Sequence, residues 1–452
     1  MNFVIYDTET SGLDPNFGQI FQFAAQLTDQ DFNVIEEFEI RSRRMPHLVP
    51  SPNALIVTGV KPNTLEQAEH SYYEFATAIK NKLLSWSPAI MCGYNIVSFD
   101  EHHLRSLFYQ NLYPPYLTQT NGNSRLDILP LVRAAEHLQP SLLTYPKNQK
   151  GKTSKKLEDV AAANGFNDHQ AHDAMGDVKA TVHLAKIIKS YSTILWNRAL
   201  ASTSRGAFNE LLNQNNPIVI HDHNRGWPVS YPALKIGKVD NGRNTLFFDL
   251  RCDPNQIDLG DPEKCFSGRD KPFRLCKDSE IPLTFTPGDW SQLGVEPNFE
   301  SNLDYEKVYE IEAKIDRGAI IEKFNESQKT YEKSPYVEAQ IYEDFHAFDD
   351  EKWLMNDFHQ AGPELKKALA ARFKDERFSA FAKRIIFDNY KDILSPERVT
   401  EYKAKIMERR HSCDEVPWMT VPKAISECDR LVAEGDRNKP DVEIIRQYLL
   451  AL

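Results

Sequence analysis

The stretch "FVIYDTETSG" at residues 3–12 sets two carboxylates, Asp7 and Glu9, one residue apart at the end of the apolar run Phe3-Val4-Ile5-Tyr6. Residues two apart on a strand project from the same face, so both acids point one way. Close like charges repel, and desolvation makes the repulsion worse. A bound divalent cation relieves it, and hard carboxylate oxygens suit Mg²⁺ or Mn²⁺. A solvated turn at a strand end uses the same residue types and is the competing reading. Thr8 is expected on the opposite face, packing inward, and Gly12 is expected to let the chain turn away.

A third acid, Asp100, ends "CGYNIVSFD", where an apolar strand leaves into a loop and then a helix. Its competing reading is a helix N-cap. His172 and Asp177 follow in "HDAMGDVKATVHLAKII". From Ala174 this segment reads as a helix with Ala174, Val178, Val182, Ala185 and Ile188 as its buried stripe. Asp177 lies in the first turns, near the positive end of the helix dipole. His172 fits the preceding loop, from which it and Asp177 can reach one pocket; an exposed or capping histidine is the alternative, with Asp173 as the N-cap. Three or more carboxylates meeting in a pocket are the mark of a two-metal hydrolytic site. A histidine with an ordinary pKa near ~6.5 is suited to take a proton from water.

The elements that must hold these groups are legible from the pattern. Strands are expected at 3–7, 20–28 and 34–42, and a helix at 70–86. A further strand at 89–94 precedes helices at 101–109, 126–138, 156–164 and 174–190. Three meandering strands followed by alternating helices and strands predict an α/β domain with a mixed sheet flanked by helices, over residues 1–192. A Pro-, Gly-, Asn- and Asp-rich region follows, with short apolar runs at 217–221, 245–250 and 281–285; it reads as a small β-rich domain within 193–335. Helical spacing returns over 336–452, where 365–394 contains no Gly or Pro.

Composition narrows the class. A chain of 452 residues is too long for one ordinary domain. It is 41% hydrophobic and 26% charged, without an apolar run of bilayer length or the pattern of a signal peptide. A cytoplasmic protein without membrane attachment is therefore expected. Six scattered cysteines with no C-x-x-C pair argue against a disulfide framework or a structural zinc site. The net charge of −11 argues against a protein that coats nucleic acid. A local basic track is still available in "KNQKGKTSKK", which otherwise reads as a solvated loop.

"YDTETSG", "GYNIVSFD" and "HDAMGD" resemble the three exonuclease motifs of the DEDDh superfamily of 3′→5′ exonucleases. "GYNIVSFDEHHLRSLFYQNLYPPY", "NSRLDILPLVRA", "LEDVAAANG" and "AHDAMGDVKATVHLAK" are similar to the bacterial exodeoxyribonuclease I family, as are "YVEAQIYEDF" and "IMERRHS" further on. The resemblance implies a ribonuclease H-like exonuclease domain at 1–192, an SH3-like β-barrel domain at 193–335 and a C-terminal helical domain at 336–452, closing a channel for a single strand. It implies metal-dependent, processive 3′→5′ degradation of single-stranded DNA to 5′-mononucleotides, in DNA repair or recombination. Asp7, Glu9 and Asp177 would hold one Mg²⁺, Asp7 with Asp100 a second, and Mn²⁺ would substitute; His172 would be the general base.

Family positions that touch the strand fall on Glu9, Arg105, Tyr116, Arg125, Arg133 and Lys156. Lys156 stands where the family carries an arginine, keeping the charge but losing the fork geometry. Tyr116 offers a stacking face or a core ring, and Arg125 either orients the site or pairs with Asp127. A family aromatic contact falls near Thr120 and is missing. The family also implies a monomer that binds the acidic C-terminal tail of the single-stranded DNA-binding protein, with "RGWPVSYPALKIGK" or "MERRH" as candidate basic surfaces. Competing readings are another DEDDh nuclease (a proofreading subunit, or a ribonuclease T- or oligoribonuclease-like enzyme), a non-catalytic single-stranded nucleic-acid binding protein, and a hydrolase of some other phosphoester. The long stretch after residue 190 weighs against the first, and the complete set of active-site residue types against the second.

Overall fold

The computed structural model describes residues 1–148, 151–167, 173–224, 227–268, 270–296, 299, 302–328, 332–343, 345–434 and 439–452. The chain divides into two compact units, one of Met1–Asn123, Asp168–Lys179 and Glu332–Leu452, the other of Ser124–Asn167 and Ala180–Tyr331.

In the first unit, strands β1 (Asn2–Thr10), β2 (Ile20–Thr28), β3 (Val34–Arg41) and β4 (Ala89–Gly93) lie in the order β3-β2-β1-β4. β1 runs antiparallel to β2 and parallel to β4. Its residues Phe3, Val4, Ile5 and Tyr6 are all buried, as a central strand covered on both faces requires. β1 is longer than the sequence suggests, because its ladder with β2 continues to Glu9↔Gln22 before the register shifts at Thr10. Pairing with β4 stops at Ile5↔Cys92, so β1 outruns its parallel neighbour and carries Asp7 and Glu9 beyond it. Crevices outside the carboxyl ends of parallel strands are where open α/β sheets bind ligands.

Gly93 ends β4 at a point where a side chain has no room. A Cβ there would lie 2.6 Å from the Tyr6 carbonyl oxygen and 2.3 Å from Ile96 Cγ2. Asn95 then takes a left-handed turn, with φ of 67°, a conformation Asn tolerates. The chain thereby enters the helix Asp100–Gln110 alongside β1. The helix Tyr72–Trp86 opens with a Ser71–Glu74 capping box and buries Phe75, Ile79 and Leu83.

The stretch 365–394, which reads as helical throughout, forms two helices, Pro363–Ala370 and Glu376–Tyr390. Asp375 breaks them by capping the second: its carboxylate accepts the Arg377 backbone N–H at 2.8 Å and is also held by the Arg377 guanidinium. One apolar core runs from Val4, Phe23 and Phe75 through Leu104 to Phe358, Phe381, Ile385, Cys428 and Leu449.

The second unit begins with a short strand, β5 (Ser124–Asp127), and the helix Ile128–Leu138. Its antiparallel sheet contains β6 (Ile218–Asn224), β7 (Trp227–Val239), β8 (Asn244–Asp249), β9 (Phe273–Lys277) and β10 (Leu283–Phe285), in the order β10-β6-β7-β8-β9. The sequence anticipates β6, β8 and β10. It hides β7, whose Pro228, Pro232 and Gly237 read as strand breakers; the strand accommodates Gly237 with a register shift against β8. Helices at Thr193–Ser202, Arg205–Gln214, Tyr305–Glu312 and Arg317–Glu326 lie in a region expected to be β-rich. Among the described residues, no helix is long and apolar enough to cross a membrane.

Candidate active site

Asp7 and Glu9 of β1 and Asp177, in the first turn of the helix Ala174–Tyr191, bring together one carboxylate oxygen each, all within 4.8 Å of one another. Glu9 is buried, and Asp7 and Asp177 are half-buried. Burial, followed by the charges of Asp100, Asp177, Glu9 and Asp173, holds the Asp7 carboxyl well above the usual carboxylate range. Burial, with Asp177, Asp100 and Asp173, pushes Glu9 up to about 8, while Arg41 acts in the opposite sense. Acids held this close are costly until a positive charge joins them. An all-oxygen donor set under such electrostatic stress fits a hard divalent cation.

Asp100 is buried at the first position of its helix. The cap position is Phe99, which makes no side-chain capping bond, so Asp100 does not serve as the N-cap. Its carboxylate accepts the Thr8 hydroxyl at 2.5 Å, and its charge is the largest carboxylate influence on Asp7. It stands beside the close trio rather than within it. Thr8 is therefore more than a packing residue: it is buried, and its hydroxyl anchors Asp100.

The next residue, Glu101, escapes the sequence reading. It is fully buried and accepts the Tyr6 hydroxyl at 2.6 Å, the Thr118 hydroxyl at 2.9 Å and an Arg105 guanidinium N–H at 3.4 Å. Tyr6 precedes Asp7, so Glu101 bolts the start of the Asp100 helix to the strand that carries Asp7 and Glu9. A second acid directly after Asp100, four residues ahead of Arg105, was the available signal. Arg105 is engaged by this anchor and lies 5.3 Å over the Tyr116 ring, which occupies one stacking face of that tyrosine.

Asp173 precedes the helix of Asp177, and its carbonyl accepts the Asp177 N–H at 3.0 Å. His172 lies outside the described residues. Arg125, Arg133 and Lys156 belong to the second unit. Arg125 donates to the Ser279 carbonyl at 2.6 Å, while Asp127 caps the helix Ile128–Leu138 through the Leu129 N–H. Arg133 is half-buried. Lys156 is exposed and pairs with Glu158 at 3.2 Å, and its neighbour Lys155 pairs with Glu136 at 2.7 Å.

A mixed α/β sheet with carboxylates past the end of its central strand defines a ribonuclease H-like exonuclease domain. The family model described as Exonuclease matches residues 4–185. The exodeoxyribonuclease I of Haemophilus influenzae is 30% identical over 372 residues, covering 76% of this chain and 77% of that protein. The chain belongs to the exodeoxyribonuclease I family, and it is a nuclease. Its fold matches E. coli exonuclease I in complex with a dA16 oligonucleotide with a TM-score of 0.82, 26% identity, and coverage of 100% of this chain and 98% of that one. A structure of SSB/exonuclease I in complex with the inhibitor CFAM matches with a TM-score of 0.79 at 25% identity, again over 100% and 98% of the two chains.

Proposed function

We propose that this protein is a divalent-cation-dependent 3′→5′ exonuclease that degrades single-stranded DNA processively and releases 5′-mononucleotides in DNA repair or recombination. The observation that carries the reading is the convergence of Asp7, Glu9 and Asp177 in a family member matched over its whole length to a DNA-bound relative. Asp7, Glu9 and Asp177 would hold one cation and Asp7 with Asp100 a second, with Mg²⁺ the expected ion and Mn²⁺ a substitute. Bound there, the cations would stabilise charge on the phosphate and make water a better nucleophile at neutral pH. His172 takes the proton from the attacking water. Thr8 holds the Asp100 carboxylate, and Glu101 keeps the helix start fixed against β1.

Glu9, Arg105, Tyr116, Arg125, Arg133 and Lys156 are the substrate contacts of this reading. It also includes the division at 1–192, 193–335 and 336–452 with an SH3-like middle domain, and a monomer. The relative solved with SSB supports binding of an acidic SSB tail.

The test is a timed digest of 5′-labelled single-stranded DNA with Mg²⁺ or with EDTA, beside duplex DNA and RNA. Full-length strand should disappear without a ladder, only with metal, and fastest for single-stranded DNA. Early loss of the 5′ label would overturn the polarity.

A further inference from the structure

The residue ahead of the Asp177 helix is held from the sheet by a polar network. Asp173 Oδ1 accepts from Gln22 Nε2 at 2.9 Å and from Arg41 Nη2 at 3.2 Å. The same two donors reach Glu39 Oε1, at 2.9 Å from Gln22 and 3.1 Å from Arg41. The strand register explains the arrangement. Glu9 of β1 pairs with Gln22 of β2, which pairs in turn with Arg41 of β3. Side chains directly opposite one another across a sheet share a face. Glu9, Gln22 and Arg41 therefore form one row, and Asp173 closes over its outer end.

Asp173 passes this restraint on through the backbone, since its carbonyl accepts the Asp177 N–H. An ion pair as exposed as Arg41–Asp173, 38% and 34% by side chain, adds little to global stability. Its consequence is local. Without the guanidinium, Asp173 and Glu39 repel each other across Gln22, and the helix entry loses its tie to β3.

We infer that Arg41 is a positioning residue: by bridging Glu39 and Asp173 it fixes the entry of the helix Ala174–Tyr191 and so holds the Asp177 carboxylate beside Asp7 and Glu9. This rests on the reading of those three acids as cation ligands. Arg41 touches neither substrate nor reacting atoms in this role. Its effect is carried by where it puts Asp177, not by its charge.

Charge and position give opposite signs in one experiment. Mn²⁺ is titrated into the full chain without DNA, and free Mn²⁺ is read by electron paramagnetic resonance. Four variants are compared with the parent: Arg41→Ala, Arg41→Lys, Asp173→Asn and the double variant Arg41→Ala with Asp173→Asn. If Arg41 acts only through its field, removing it tightens Mn²⁺ binding and removing the Asp173 charge weakens it. If it acts by position, both single changes weaken binding, by about tenfold as for other groups that orient metal ligands. The double variant is then no weaker than the worse single one. Arg41→Lys, which keeps a cation in reach of Asp173, recovers most of the loss. On single-stranded DNA the same variants lower kcat with little change in KM, and thermal melts within a few degrees of the parent confirm folding. Unchanged or tighter Mn²⁺ binding by Arg41→Ala, or losses that multiply in the double variant, would overturn the inference alone. A parent chain that bound no Mn²⁺ would overturn the ligand assignment as well.

Discussion

Asp7 illustrates a conflict between stability and function within one side chain. Its carboxyl is crowded by protein and by four other acids, all of which oppose its ionisation. In the absence of a cation this arrangement costs folding energy, which binding at the proposed cation site would recover. Asp7→Asn removes the charge while keeping shape. It should abolish exonuclease activity by a factor on the order of 10³, since ligands of one site act as a unit. In EDTA the same variant should melt above the parent, by about 1 °C for each kcal/mol of buried repulsion relieved in a chain of 452 residues. Activity and calorimetric melting of one preparation check both; a lower melting point in EDTA would refute the electrostatic account. At this scale the sequence was informative about the acids, because strand alternation alone places Asp7 and Glu9 on one face. It assigned Thr8 to packing alone and was silent about Glu101. Their roles depend on which hydroxyls and carboxylates meet across the gap between β1 and the Asp100 helix, a distance no local pattern encodes.

The Asp100 helix is fixed at both ends. At its start Glu101 is bound by Tyr6 and Thr118; at its end Arg384, from the helix Glu376–Tyr390, donates to Gln110 Oε1 at 2.8 Å and to the Gln110 carbonyl at 2.6 Å. One turn after Arg384, the Asp388 Oδ1 atom is enclosed and has no hydrogen-bond partner among the described residues, although part of the residue reaches the surface. Burial pushes this carboxyl up to about 7, with Arg384 only partly offsetting it. A carboxyl raised in the folded state stabilises the fold fully when protonated, below its unfolded value, and that contribution is lost as pH rises through about 7. Denaturant unfolding should therefore show stability falling between pH ~4 and ~7, by about 1–3 kcal/mol from this group. Asp388→Asn should flatten that slope, and a variant that kept it would assign the slope elsewhere.

Elements with a regular apolar period, such as Tyr72–Trp86 and β2, lie within two residues of their sequence-based bounds. β7 was hidden by its prolines and glycine, and the break before Glu376 by the absence of any Gly or Pro there. In both cases tertiary hydrogen bonding overrides local propensity: long ladders sustain β7, and before Glu376 the Lys374 and Asp375 N–H groups donate to the Glu351 carboxylate while Asp375 caps the helix that follows.

At the scale of the molecule, the helices of residues 332–452 belong to the same compact unit as the sheet that carries Asp7 and Glu9. Leu354, Phe358, Phe381, Ile385, Cys428 and Leu449 are buried in one continuous core with Val4, Phe23, Phe75 and Leu104. Tyr73, Tyr113 and His359 stack across this core, and His359 joins the Tyr73 hydroxyl at 2.8 Å and the Leu112 carbonyl at 2.9 Å. Removing those helices would expose apolar surface and strip partners from buried polar groups together. Each large apolar side chain left bare costs about 1.5–3 kcal/mol, so a handful exceeds the ~5–15 kcal/mol by which domains are stable. Residues 1–192 alone, though they contain every catalytic candidate, should then fail to fold. The expressed fragment should bind a hydrophobic dye, melt without a cooperative transition and hydrolyse no single-stranded DNA. Supplying residues 332–452 as a separate chain should restore part of the soluble yield, because the missing core returns with them. A monomeric 1–192 fragment with a sharp melt would mean that the exonuclease sheet closes its own core, and that the C-terminal helices serve the substrate rather than the fold.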